Sequence, residues 1–245
     1  MYLNGQEGAV LVRTSKWLSL MCGIALLAPT AACSRLDPSK ATQHTESFEV
    51  EIVYKRNQIC YAISNQNENH SLYTFNAAGL PVITKDGTKG TASALKPGMC
   101  VTVQYDGYML ETYPAQFSGV TDIEVNEVRA NDVEFVAKQI SGMFPSTSPG
   151  DSSKWDISFD GVSFLSEDEK VAVQYILSEN WSNTNVTIDS SENVSENTSR
   201  ITIQVNEYSE QTLDLTITVN TGEKDEKPSS RTIQATLQDG AWTTD

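Results

Sequence analysis

Apolar residues fall at every second position in Phe48, Val50, Ile52 and Tyr54, the period of a half-buried strand. The same alternation or β-rich composition predicts further strands over 58–64, 71–75, 82–84, 100–105, 108–112 and 120–128. Turn residues separate them at 65–67, 78–79, 85–87, 96–98 and 106–107, where Gly, Pro, Asn and Asp supply the dihedrals a reversal needs. Over 131–142 the period changes: Val133, Val136, Ile140 and Met143 recur at three- and four-residue spacing, Asn131 and Glu134 make a capping-box-like start, and Gly142 supplies a stop. A short helix is expected there.

Residues 144–153 are rich in Pro, Ser and Gly and read as a linker. Beyond it a strand is expected over 155–160, then a helix whose start is marked by a Ser166/Glu169 capping box, with Ala172, Tyr175, Ile176 and Glu179 along one face. Three alternating runs follow, Ile201/Ile203/Val205, Leu213/Leu215/Ile217/Val219 and Ile233/Ala235/Leu237. Their other faces carry Thr, Gln, Asn and Asp, so the sheet is expected to be covered by the helix on one side and wet on the other. The expected fold class is mainly β with α+β: a small β-barrel with a closing helix at 47–143 and, after the linker at 144–153, a helix packed on an antiparallel sheet at 154–245.

The N-terminal region follows a different logic. Arg13 and Lys16 precede an apolar run from Trp17 to Ala28. A run of about 12 residues is too short for a permanent bilayer-spanning helix and suits the apolar core of a signal peptide. The segment Ala28-Pro29-Thr30-Ala31-Ala32-Cys33 that follows resembles the lipobox of bacterial lipoproteins. That resemblance implies a signal peptide at 1–32, acylation of Cys33 as the new N-terminus, and a flexible tether at 33–46 lifting the folded part off the membrane. Thr30 stands where the lipobox pattern usually has an aliphatic residue. Cleavage after Ala32 by an ordinary signal peptidase, giving a freely secreted protein, is the other reading.

Export bears on the remaining cysteines. Of the four, Cys22 would leave with the leader and Cys33 would take lipid, so Cys60 and Cys100 remain. In an oxidising compartment two thiols suggest one disulfide joining two strands, worth about 4 kcal/mol in the chain-entropy model; two separate buried thiols are the alternative. A net charge of -15 disfavours nucleic acid and anionic lipid as partners and favours solubility, with cations or basic polymers as other possible counterparts.

The stretch Tyr105-Asp106-Gly107 followed by Glu111-Thr112-Tyr113-Pro114-Ala115-Gln116 resembles a segment of OB-like domains of uncharacterised Gram-positive lipoproteins, over 48–128. The resemblance implies a five-stranded, partly open barrel and brings no catalytic residues. OB barrels often bind ligands on one sheet face, which makes Tyr105, Tyr113 and Gln116 a candidate ligand surface; core tyrosines and a capped strand end account for the same residues. The closing Leu237-Gln238-Asp239-Gly240-Ala241-Trp242 resembles the last strand turn of cystatin-like and nuclear-transport-factor-like (NTF2-like) domains.

No nucleophile elbow, zinc-protease helix or phosphate-cradling glycine loop is present, and the two histidines, His44 and His70, lie in polar stretches. Glu167/Asp168/Glu169 suits a helix N-terminus, and Asp106/Glu111 flanks a hairpin. No metal or cofactor is expected. The sequence therefore points to a lipid-anchored, extracytoplasmic, non-catalytic module that binds an envelope protein, peptide or glycan or serves a structural role, with an envelope enzyme carrying a pocket in the C-terminal domain as the alternative.

Overall fold

The computed structural model describes residues 45–64, 72–144, 154–181, 184–189, 199–221 and 227–244. The leader, Cys33, nearly all of the tether, the turn at 65–67, both histidines and most of the 144–153 linker lie outside them. The described chain is mainly β, with two α-helices.

In chain order the first part comprises β1 (Glu46–Arg56), β2 (Ile59–Ile63), β3 (Leu72–Asn76), β4 (Val82–Ile83), β5 (Lys89–Gly90), β6 (Met99–Tyr105), β7 (Met109–Leu110), β8 (Ala115–Phe117) and β9 (Asp122–Val128). These form one nine-stranded sheet in the order β5-β4-β9-β6-β1-β2-β3-β8-β7. Helix α1 (Asp132–Ser141) follows, then β10 (Lys154–Ser158), α2 (Glu167–Asn180), β11 (Asn185–Ile188), β12 (Ser199–Tyr208), β13 (Thr212–Asn220), β14 (Ser229–Gln238) and β15 (Ala241–Thr244). The second sheet has the order β11-β10-β12-β13-β14-β15. It is mixed rather than wholly antiparallel: β10 runs parallel to both β11 and β12. The reason is topological, since α2 connects β10 to β11, and a helical crossover returns the chain in the same direction.

Strand β1 organises both halves. Its residues 46–51 pair with β6 and its residues 51–56 with β2. Between Ile52 and Tyr54 the ladder to β2 skips a residue, leaving Val53 as a bulge that adds one position to the alternation. Before the bulge Val50 and Ile52 enter a first core with Cys60, Phe75, Val101 and Ile123. After it the faces exchange: Val53 and Tyr54 join a second core, while Lys55 turns the other way and donates to the Ala92 and Leu95 carbonyls at 2.5 and 3.1 Å. The expectation that Tyr54 shares a face with Phe48, Val50 and Ile52 is corrected by this one inserted residue.

The second core holds Val53, Ile63 and Leu72 of the first sheet together with Val133, Phe135, Val136 and Ile140 of α1, the apolar face of α2, and the inward residues of β10 and β12–β15. The α1 residues that the sequence assigns to closing the first unit thus pack with residues from beyond the linker. The wet face of the second sheet carries hydroxyl and amide pairs, among them Thr216–Thr232 at 3.1 Å and Asn206–Asp214 at 2.8 Å.

Local chemistry explains the ends of several elements. Ser166 and Glu169 form the expected capping box, each side chain meeting the other's backbone N–H. The capping box expected from Asn131 and Glu134 does not form, for no side-chain bond from Asn131 caps the helix: its amide donates to the Glu134 carboxylate at 3.3 Å, while its side-chain carbonyl oxygen accepts from the backbone N–H of Trp242 at 2.9 Å, tying β15 to the start of α1. Asp239 and Gly240, both at positive φ, make the two-residue turn joining β14 to β15. Gly240 is also clasped against the first sheet, for a Cβ there would lie 2.7 Å from Val128 and 2.8 Å from the Arg129 carbonyl oxygen.

Candidate functional site

Two groups of side chains stand out, both products of the double burial of β1. The first begins with Glu51. Four successive residues of β1, Val50 to Val53, are buried, and Glu51 lies on the face turned towards the second core. Its register partners are Ile63 on β2 and Cys100 on β6. Arg129, immediately after β9, reaches Glu51 at 3.1 Å and Glu127 at 3.1 Å. Asp132, in the first turn of α1, accepts from the Trp242 indole N–H at 2.5 Å. Glu169 approaches from the first turn of α2.

Two small cavities meet at this seam. One of about 180 Å³ includes Glu51, Cys100, Glu127 and Arg129 in its lining; one of about 150 Å³ includes Glu51, Arg129, Asp132 and Glu169. Burial pushes the Glu51 carboxyl up to about 7, with the Glu169 charge adding to the rise and Arg129 opposing it. Burial likewise raises Asp132 to about 6 against the hydrogen bond from Trp242. Among the described residues no group of His, Cys, Asp and Glu is arranged to hold a metal ion.

The second group is a series of tyrosines. Tyr54 and Tyr61 face each other across β1 and β2 with ring centroids 5.7 Å apart. Tyr61 meets Tyr175 of α2 at 5.8 Å, and Tyr175 meets Tyr113, just before β8, at 5.7 Å. The first three are half-buried, whereas Tyr113 is 63% exposed. Burial and the Glu179 carboxylate, one turn along α2, push the Tyr175 phenol up to about 12, so that ring remains a neutral donor at any physiological pH. Such rings present apolar faces with hydrogen-bonding tips.

The proposed ligand surface is only partly assembled. Tyr113 belongs to the tyrosine series and Gln116 is exposed on β8, but Tyr105 points into the first core, 5.0 Å edge-on to Phe117, with its hydroxyl donating to Glu46 at 3.3 Å. It is a core residue because it sits on the Val101/Val103 face of β6.

The expected Cys60–Cys100 disulfide is absent: both thiols are free. Cys60 is in the first core, whereas Cys100 lies 3.9 Å from Glu51 on the opposite face. Their strands flank β1 on opposite sides, and Cys60 pairs with Lys55 whereas Cys100 pairs with Glu51, so at about 4.8 Å per strand the two are more than about 9.6 Å apart, beyond the roughly 7 Å that a disulfide spans. Burial raises both thiols to about 11, which keeps them protonated and weakly nucleophilic at neutral pH.

No family model, curated protein or solved structure matches the chain. Among the described residues no helix is long and apolar enough to cross a membrane.

Sequence reasoning missed Glu51 and Asp132. The one available signal was Val53, an apolar residue on what alternation makes the polar face of β1, which marks that face as covered. Tyr54 and Tyr175 fall within the β1 and α2 patterns, but nothing local marks Tyr54, Tyr61 and Tyr175 as neighbours, because their proximity arises from the packing of α2 against β1 and β2.

Proposed function

We propose that this chain is a lipid-anchored, extracytoplasmic module of the cell envelope that binds without catalysis, and that the ligand is a peptide, protein segment or glycan seated on the tyrosine series. The lipobox-like segment ending at Cys33 supports the location. The observation that carries the binding reading is the run Tyr54–Tyr61–Tyr175–Tyr113, in which two strands, a helix and a loop supply four rings in sequence. Flat aromatic surfaces with hydroxyl tips bind extended ligands at low conformational-entropy cost. The finer fold reading belongs to the same proposal: an OB-like barrel for the first part, and a cystatin-like or NTF2-like arrangement for the second.

Two measurements test the proposal. Palmitate labelling in a bacterial host should mark the wild-type chain and not Cys33→Ser, and labelling of neither overturns the anchoring. The wild-type chain should retain envelope peptides or glycans in a pull-down that Tyr113→Ala and Tyr175→Ala each weaken about tenfold; equal retention by all three overturns the tyrosine site.

An envelope enzyme is a second reading, and one observation favours it. Glu51 at about 7 and Asp132 at about 6 have values suited to proton transfer near neutrality. Against it, the adjoining cavities of about 180 and 150 Å³ fall below the roughly 300 Å³ at which small-molecule pockets begin. Turnover of an envelope substrate that Glu51→Gln and Asp132→Asn both abolish, with folding retained, would establish it over the binding module.

A further inference from the structure

A further cavity lies where α1, β14 and β15 meet; it shares Trp242 with the surroundings of Asp132, but neither Glu51, Asp132 nor any of the four tyrosines lines it. Its volume is about 590 Å³, within the range of about 300–1,000 Å³ typical of ligand pockets. Phe135 and Trp242 supply apolar walls, their rings 6.3 Å apart. Lys138 of α1 and Arg231 of β14 bring two positive charges, and neither has an ion-pair partner within 4 Å among the described residues. Glu134, the carboxylate in the lining, is engaged by Asn131 at 3.3 Å. Two unpaired cations in one concavity are distinctive in a chain with 17 basic and 32 acidic residues.

Another polar side chain lines the same cavity. Gln139 is 91% buried, its exposure being only 9%, and it lines the cavity. Its side-chain amide makes no hydrogen bond to a described residue. The sealed polar atoms without a partner are Ser141 Oγ and Thr184 Oγ1, so the Gln139 amide opens onto the cavity and is free to meet a group that both donates and accepts. A peptide bond does so. The sheet edge offers a second such match. β15 is the last strand of its sheet, and its Trp242 N–H already turns outward to Asn131. Strand alternation gives the peptide groups of Thr244, two residues on, the same outward direction. An extended segment meeting that edge would gain main-chain hydrogen bonds.

From this arrangement we infer that the α1/β14/β15 cavity binds the C-terminal end of an extended peptide. The free carboxylate lies between Arg231 and Lys138, the last peptide group meets Gln139, and an apolar final side chain rests against Phe135 and Trp242. Arginine is suited to the first task because its planar fork matches a carboxylate with two parallel hydrogen bonds.

The test is calorimetric titration of the full chain with N-acetyl-Ala-Ala-Phe and N-acetyl-Ala-Ala-Leu, each as the free acid and as the C-terminal carboxamide. At least one acid should bind with a stoichiometry of one, and its carboxamide should bind about tenfold more weakly. Arg231→Gln, at an exposed strand position, should lower affinity for the acid by a similar factor without changing the melting temperature. Gln139→Met should weaken acid and amide alike. Equal binding of acid and amide, an unaffected Arg231→Gln variant, or no binding of either acid at millimolar concentration overturns the inference. Tyr175→Ala should leave these titrations unchanged, so failure here and failure of the tyrosine site are read separately.

Discussion

Replacing Glu51 by Gln tests whether β1 is truly covered on both faces. In the folded chain the Glu51 carboxyl is pushed from its ordinary 4.5 to about 7, mainly by burial. Between those values the native state holds a proton that the unfolded chain has released, so stability falls as pH rises. The contribution is fully present below about pH 4.5 and lost by about pH 7. At about 1.4 kcal/mol per pH unit, the interval corresponds to about 3 kcal/mol, a large fraction of the roughly 5–15 kcal/mol that holds a typical domain together. Gln keeps the shape and cannot ionise, so Glu51→Gln should match wild type near pH 4.5 and exceed it by up to about 3 kcal/mol near pH 8. Asp132, raised to about 6, adds a slope of the same sign that persists in the variant. Urea unfolding at half-unit steps from pH 4.5 to 8 measures both curves. With a slope of about 2 kcal/mol per molar urea, the two midpoints should diverge by about 1.5 M at the alkaline end. Parallel curves, or a wild-type chain that gains stability from pH 5 to 8, would refute the burial of Glu51.

Other expectations follow from particular contacts. Asp156 is fully buried and accepts from Arg200 at 2.8 and 3.1 Å and from Thr187 at 3.2 Å; Arg200→Met should cost about 3 kcal/mol and more than Asp156→Asn, which removes the buried charge together with its need for a partner, as chemical denaturation will measure. Gly240→Ala should cost about 2 kcal/mol from left-handed strain and from contact with Val128 and Arg129, whereas Gly79→Ala, also at positive φ but with open space around it, should cost about 1 kcal/mol. Reductant should leave the melting temperature unchanged, and peptide mapping should find Cys60 and Cys100 alkylated without prior reduction, Cys60 only after unfolding; a linked Cys60–Cys100 peptide would contradict the strand order.

Much of the secondary structure was legible because its causes are local. The Ser166/Glu169 box, the alternation of β12 to β14, the α1 periodicity and the Asp239-Gly240 turn each depend on residues a few positions apart, and the structure places an element at each. Pairing was not legible. Strand β11 escaped notice because four residues carry too little periodicity to distinguish a strand from a loop, and the mixed direction of the second sheet depends on which strand receives the chain after α2. The candidate sites were less legible still, for a side chain's face is set by register. One bulged residue, Val53, sends Tyr54 towards α2 and Tyr113, and places Cys60 and Cys100 on opposite sides of a sheet.

The sequence by itself determined where both helices and most of the longer strands lie, because caps, turns and alternation act over a few bonds. Only the tertiary structure decided that Glu51 is buried, that α1 packs with the second sheet, and that Lys138, Gln139 and Arg231 line one cavity. Those facts depend on residues distant along the chain being brought together, and on the water that their meeting excludes.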